Sequence, residues 1–297
     1  MIRRLTRQRP RLPRLYRAAA GETALAAKWS ARSVVTAILR DAASVADRLW
    51  LIGYFLSRVT IADREPLARL APSPAAVRFR SARSPVWSSV EAGGIASWYE
   101  IAIQHSYAPT PQFVPASGWT VVDVGANIGM YAVWAASHMG TGRLVAIEPN
   151  PIAVRLLERT LGAIPITTMV VPVACGAKAD AAVLYFRPGY TVSGGFTPRD
   201  ATDQRIAVEV RPLRSILGEL GVARVDLLKI DVEGAEVDVL HGAPLEYIER
   251  VVLETSDSDA VRDLMANRGF DLAHRVTDHW AQPGLEMLAF IKRLGQT

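Results

Sequence analysis

The sequence predicts a doubly wound α/β fold, a mostly parallel sheet of seven strands with an N-terminal helical extension. Three observations predict it. From Trp119 onward, short apolar runs alternate with amphipathic helical stretches, the pattern of a parallel sheet covered on both faces. The first run ends in a glycine-containing loop, VVDVGANIGM, that leads into a helix. A later one, LLKIDVEGAEV, again brings acids and a glycine to a strand–helix turn.

The chain has 297 residues, 34 basic and 29 acidic side chains and half its positions apolar, enough for a large buried core. Its one cysteine, Cys175, excludes an internal disulfide framework and a cysteine-built zinc site, and fits a reducing cytosol. The net charge of +5 is unevenly spread: residues 1–83 hold 17 Lys/Arg against 5 Asp/Glu, and residues 84–297 hold 17 against 24. The basic character belongs to the leader. Nucleic-acid binding would need a basic stripe on the folded domain, so no such partner is expected.

Residues 1–22 read as a basic tail without fixed structure. Arg3, Arg4, Arg7, Arg9, Arg11, Arg14 and Arg17 precede the first acid, Glu22, and Pro10 and Pro13 break any early helix. The alternative is adhesion to an anionic membrane surface. No apolar run fit for a secretory signal follows, so the expected location is cytoplasmic, with any membrane contact peripheral and at the inner surface.

Residues 23–75 are expected to be helical, because Val34, Val35, Ile38, Leu39, Ala42, Val45, Ala46, Leu49, Ile52 and Leu56 recur at three- and four-residue steps. Leu49–Ser57 is nine uncharged residues between Arg48 and Arg58, whereas a spanning helix needs about 20. Packing against the main domain or a second subunit in a homo-oligomer is therefore expected. An interfacial helix with Trp50, Tyr54 and Phe55 at headgroup depth is the alternative. Pro66, Pro72, Pro74 and Pro85 mark a boundary near 70–76, and the main domain is expected over 76–297.

Within it, a short strand at Ala76–Ser81 and a short element at Trp98–Gln104 precede a stretch with Pro109, Pro111 and Pro115. Strands follow at Thr120–Val124, Arg143–Ile147, Thr168–Ala174, Val225–Ile230, Arg250–Glu254, Asp271–Val276 and Met287–Lys292. Helices are predicted at Met130–His138, Pro151–Leu161, Ala235–His241 and Ala260–Asn267.

The first strand–helix junction carries the strongest chemistry. Asp123, Gly125, Asn127 and Gly129 stand at the carboxyl end of a strand. The glycines allow a tight turn and close approach of a ligand, and the following helix N-terminus suits an anionic group. Glu148, at the end of the second strand in AIEPNP, is placed to accept both hydroxyls of a ribose. A dinucleotide loop would read G-x-G-x-x-G; here an acid heads the loop and Asn127 replaces the second glycine, so pyrophosphate would meet like charge. S-adenosylmethionine has no phosphate, but an amino group an acid can hold and a carboxylate suited to backbone amides. The loop therefore favours it over NAD. A Rossmann-like fold that has lost its ligand is the bland alternative.

The second informative segment, Val225–Ala243, ends a buried strand with Lys229, Asp231 and Glu233 before Gly234 admits a turn. A strand adjacent to the first would set Asp231 near the methyl-donating sulfonium, with Glu233 either facing substrate or capping the helix.

With VVDVGANIGMYAV, AIEPNP, LLKIDVEGAEVDVLHGA and Glu254 of VVLET in order, the chain resembles the FkbM-type family of S-adenosylmethionine-dependent methyltransferases over roughly residues 76–294. The resemblance implies a Rossmann-like class I methyltransferase fold and an acceptor hydroxyl on a saccharide or macrolide-type metabolite. It also implies that Asp123, Gly125, Ala126, Asn127 and Gly129 bind the methionine portion and Glu148 the ribose, with Asp231 beside them. The catalytic role of Asp231 and Glu233 is not settled by it, and residues 1–75 lie outside it.

O-methylation benefits from a base within hydrogen-bond reach of the hydroxyl. His138 at a helix end and His274 within a strand read as structural, and His241 as a helix-end group. His279 belongs to the Asp278–Trp280 turn, which opens on the ligand side if the last strand runs antiparallel, and His105 sits on a segment that would cover the site. Both are base candidates, and Asp231 competes with them. Asp231, Glu233 and Glu254 offer hard oxygen ligands, but no spacing forces a metal and none is expected. Arg187–Ala201 reads as a hairpin turning at Gly194–Gly195, or as a sugar-facing lid with Tyr190 and Phe196 as stacking surfaces. Two rival readings are a non-catalytic cofactor-binding or assembly subunit and an NAD-dependent enzyme.

Overall fold

The computed structural model describes residues 31–59, 74–89, 94–95, 97–187, 190–198, 201, 203–279, 283–293 and 295. The basic leader and Trp280 lie outside them. The extension contributes α1 (Ala31–Asp41) and α2 (Val45–Val59). Its inter-helix turn is stitched to the main domain. Ala42 bridges Phe79, Arg78 N donates to Asp47 Oδ1 at 3.0 Å, and Trp98 Nε1 donates to Asp41 Oδ2 at 2.7 Å.

Ile38, Ala42, Leu51 and Tyr54 share one hydrophobic cluster with Phe79, Trp98 and Tyr131. Trp50 and Tyr54 are thus inside the protein, at 7% and 2% exposure, and are not presented at headgroup depth; Val45, Leu49 and Ile52 face outward instead. Among the described residues no helix is long and apolar enough to cross a membrane.

A short antiparallel pair, β1 (Ala75–Val77) and β2 (Val86–Ser88), follows. The Trp98–Gln104 element is helical: Tyr99–Ile103 forms a π-helix closed by Gln104 N donating to Tyr99 O at 2.9 Å. Its short apolar stretch, interrupted by Glu100, does not tell strand from helix by periodicity.

Then come β3 (Thr120–Val124), α3 (Met130–His138), β4 (Arg143–Ile147), α4 (Pro151–Leu161), β5 (Thr167–Val171), β6 (Ala174–Cys175), β7 (Asp180–Arg187), β8 (Tyr190–Gly195), β9 (Gln204–Arg211) and α5 (Leu213–Glu219). The chain closes with β10 (Leu227–Ile230), α6 (Glu236–Gly242), β11 (Arg250–Thr255), α7 (Ser258–Asn267), β12 (Phe270–Val276) and β13 (Glu286–Lys292). Seven of these strands form the main sheet in the order β12-β13-β11-β10-β3-β4-β5. Pairing is parallel from β11 through β5, and β13 is antiparallel to both β11 and β12.

Alternating side chains load the two faces. Val121, Leu144, Ala146 and Leu227 point to the α3/α4 side, while Val122, Val124, Val145, Ile147, Leu228 and Ile230 point to the α5/α6/α7 side. Asp123 and Lys229, sharing parity with Val121 and Leu227, therefore project onto the first face.

The long connection after β5 folds as a second sheet, order β6-β9-β7-β8. The expected strand Thr168–Ala174 is split between the two sheets. Gly194 and Gly195 lie in β8 and pair back onto β7, so they are not the turn. Arg187 pairs with Tyr190, and the two residues between them lie outside the described ones.

Candidate active site

Where β3 ends, the backbone turns through Gly125 (φ +79°), Asn127 (φ 47°) and Gly129 (φ 91°) into α3. A Cβ on Gly125 would stand 1.7 Å from the Asp231 carbonyl oxygen, so only glycine lets the loops after β3 and β10 lie against each other. Gly125 N and Ala126 N donate to Ile147 O, and Asn127 N donates to Glu148 Oε2 at 2.9 Å. Asn150 N donates to Glu148 Oε1 at 2.8 Å, and the Asn150 side chain caps α4 through Ile152 N. Glu148 thus ties the glycine loop to the end of β4. Burial pushes its carboxyl up to about 7, against the pull of the Asn150 and Asn127 amides.

Behind the loop lies a buried charge cluster. Register places Lys229 of β10 opposite Asp123 of β3. The Lys229 Nζ is 3.0 Å from Asp123 Oδ1 and 3.4 Å from Asp231 Oδ2, and donates to Gly125 O at 3.0 Å. Tyr107 and Tyr131 cover the ammonium, with ring centroids 5.2 and 5.9 Å away. Burial acts to depress the ammonium, but Asp123 and Asp231 more than offset it and hold the group above its ordinary range.

Asp123, expected to hold the cofactor's amino group, is fully buried. Its charge is met from inside the fold by Lys229. For the same reason, like-charge repulsion is weaker ground against pyrophosphate than the bare sequence implies.

A second cluster stands at the carboxyl ends of β10 and β11. Asp231, whose side chain is 35% exposed, accepts from the Tyr107 hydroxyl at 3.0 Å. Glu100 comes from the π-helix, Glu254 from β11, and His279 from the β12–β13 turn, which opens on this side because β13 runs antiparallel. His279 Nε2 is 3.2 Å from Glu100 Oε1 and 4.0 Å from Glu254 Oε2. Burial, then the charges of Glu100, Asp231, Glu233 and Glu236, push the Glu254 carboxyl well above its usual range. All four described non-glycine residues with positive φ, His105, Asn127, Glu233 and Asp278, lie on the loops that supply the expected site residues, where strained backbone tends to collect.

The structure brings Gly125, Ala126, Asn127, Gly129, Glu148 and Asp231 to the carboxyl ends of β3, β4 and β10, with His279 beside Glu254. His105 is left out: it is exposed, its ring 6.2 Å from Trp134, and it is within ion-pair reach of no described carboxylate. Glu233 is exposed and does not cap α6. The cap position is Ala235, and the Glu236 carboxylate accepts from Gly234 N at 2.8 Å. Phe196 is exposed at 39%, while the side chain of Tyr190 lies outside the described residues. The sequence reading missed the roles of Glu100, Tyr107 and Lys229. Only Lys229 left a signal, as a lone charge inside the apolar run LLKI.

A seven-stranded sheet with an antiparallel final strand, a glycine loop after β3 and an acid at the end of β4 defines a class I methyltransferase. The family model for the methyltransferase FkbM domain matches residues 123–272, and the chain belongs to that family; it is an S-adenosylmethionine-dependent methyltransferase. The protein is 30% identical over 226 residues to the AMB antimetabolite synthetase AmbE of Pseudomonas aeruginosa, covering 60% of this chain but only 11% of AmbE. It is 30% identical over 190 residues to the 31-O-demethyl-FK506 methyltransferase FkbM of Streptomyces tacrolimicus, covering 52% of this chain and 73% of that one. To the hexuronic acid methyltransferase AglP of Haloferax volcanii it is 27% identical over 134 residues, covering 44% of this chain and 54% of AglP.

The residues present fit the donor. Each Glu148 oxygen has one amide donor and retains acceptor capacity for a hydroxyl. Asp231 presents a partly open carboxylate one strand away.

Proposed function

We propose that the protein transfers the methyl group of S-adenosylmethionine to a hydroxyl of a saccharide or secondary metabolite. The observation that carries this reading is Asp231, a partly exposed carboxylate held at the end of β10 by Tyr107 and Lys229. The acceptor oxygen attacks the sulfonium methyl carbon, the carbon–sulfur bond breaks, and S-adenosylhomocysteine leaves. The hydroxyl proton passes to Asp231. Alignment supplies much of the acceleration, and the base removes the cost of leaving the proton on an oxonium. Two relatives, named for a 31-O-methylation and for a hexuronic acid, support an oxygen acceptor of this kind.

The test is transfer of a labelled methyl group to a panel of neutral glycosides and polyketide alcohols, with the product linkage read by NMR. A methyl ether is expected; transfer only to nitrogen would refute the reading. Asp231→Asn is expected to lower kcat by about 100-fold or more while the affinity for S-adenosylhomocysteine, measured by calorimetry, changes little. Equal losses in both would make Asp231 a cofactor ligand instead.

In the same reading Glu148 receives the two ribose hydroxyls and the N-terminus of α3 the methionine carboxylate. Hydroxyl donors favour the ionised carboxylate, and with its acidity near 7 the proton must be expelled before binding at lower pH. Affinity for S-adenosylhomocysteine should therefore fall as pH drops below 7, by up to about tenfold per pH unit. A constant affinity between about pH 5.5 and about pH 8.5 would contradict this placement.

A further inference from the structure

We infer that Glu100, Glu254 and His279 form a binding site for a divalent transition-metal cation at the acceptor side of the active site. The three side chains come from the π-helix, the end of β11 and the β12–β13 turn. One ligand atom from each lies within 4.8 Å of the others. Metal–ligand bonds of about 2.1 Å put ligand atoms roughly 3.0 Å apart at right angles and roughly 4.2 Å apart across the ion. The observed separations from His279 Nε2, 3.2 and 4.0 Å, fall within that span.

The charge balance points the same way. Two carboxylates face one imidazole in a place where the side chains of Glu100, Glu254 and His279 are only 11%, 15% and 10% exposed. Glu254 accepts no hydrogen bond from any described residue, although a buried carboxylate is costly without a counter-charge or donors. Lys229, the cation among the neighbours of Asp231, is already committed to Asp123 and the Gly125 carbonyl. Mixed oxygen and nitrogen donors suit Mn2+ or Zn2+ better than Mg2+ or Ca2+. The spacing in sequence gave no hint of this, because Glu100 joins the group only through the tertiary fold. The ion would stand beside Asp231, where an acceptor oxygen must arrive. Its binding is read with the metal alone, so the outcome is independent of the acceptor assigned above.

The experiment titrates Mn2+ into the chelator-stripped full chain, following free Mn2+ by electron paramagnetic resonance, with S-adenosylhomocysteine binding as a check of folding. One equivalent bound per chain is expected. Glu254→Gln and His279→Gln should each weaken it by about tenfold or more while the nucleoside still binds. A wild-type crystal soaked in Mn2+ and measured at its absorption edge gives a readout free of variants, with the anomalous peak expected between the three side chains. No saturable Mn2+ binding, an affinity the variants leave untouched, or a peak elsewhere would each overturn the site.

Discussion

Replacing Lys229 by methionine is expected to lower the unfolding free energy by about 3–5 kcal/mol, read as a fall in the urea midpoint. The ammonium is 3% exposed and its partner Asp123 is at 0%. Methionine fills much of the same volume, so the loss is electrostatic rather than a cavity. What remains is a carboxylate sealed from water, with no other hydrogen-bond donor among the described residues and only protonation to relieve it. The Gly125 carbonyl loses its donor as well. The double variant Asp123→Asn with Lys229→Met should recover part of the loss, because it removes the stranded charge along with its partner. Breaking the Arg214–Glu246 pair, whose side chains are 51% and 47% exposed, should cost no more than about 1 kcal/mol. Similar costs at the two sites would mean that water reaches Asp123.

That contrast also marks what the sequence could and could not disclose. The bounds of β3, β4, α3 and α4 agree with the sequence reading residue for residue. Buried parallel strands read as uninterrupted apolar runs, and α4 announces itself through Asn150 as cap and Pro151 at its first position. The glycine loop, Glu148 and Asp231 were legible for the same reason: each is fixed by a local strand end.

The inserted sheet was not legible as a sheet. Its β6 is two residues long and pairs in parallel with β9, far along the chain, so only a hairpin around Arg187–Ala201 showed. Lys229 was visible, but its meaning depends on register, since a shift by one residue would turn it to the other face. Glu100 and His279 meet only because the π-helix and the β12–β13 turn converge above β11, and no spacing in the sequence encodes that meeting.

Gly125→Ala is expected to be the most damaging glycine-to-alanine change among the described residues, while Gly129→Ala, four residues on in the same loop, should be far milder. Both glycines have positive φ, +79° and +91°, and an L-residue there costs about 1–2 kcal/mol in either case. What differs is the neighbour. The new methyl at Gly129 would meet Leu157 Cδ1 and Thr160 Cγ2 at 3.0 Å, ends of side chains that can shift by a rotamer change. At Gly125 it would fall 1.7 Å from Asp231 O and 2.8 Å from Asp231 C, which are backbone atoms. Those atoms are anchored by Asp231 N donating to Val124 O at 3.0 Å, so relief requires the loops after β3 and β10 to part. That movement would also separate Gly125 O from Lys229 and displace the Asp231 carboxylate. Overpacking adds about 1–3 kcal/mol or more to the strain, and binding of S-adenosylhomocysteine should be lost even where the chain still folds. Thermal unfolding and calorimetry on the two variants side by side decide the matter. If Gly125→Ala keeps nucleoside affinity while Gly129→Ala loses it, the loops do not meet as they do here.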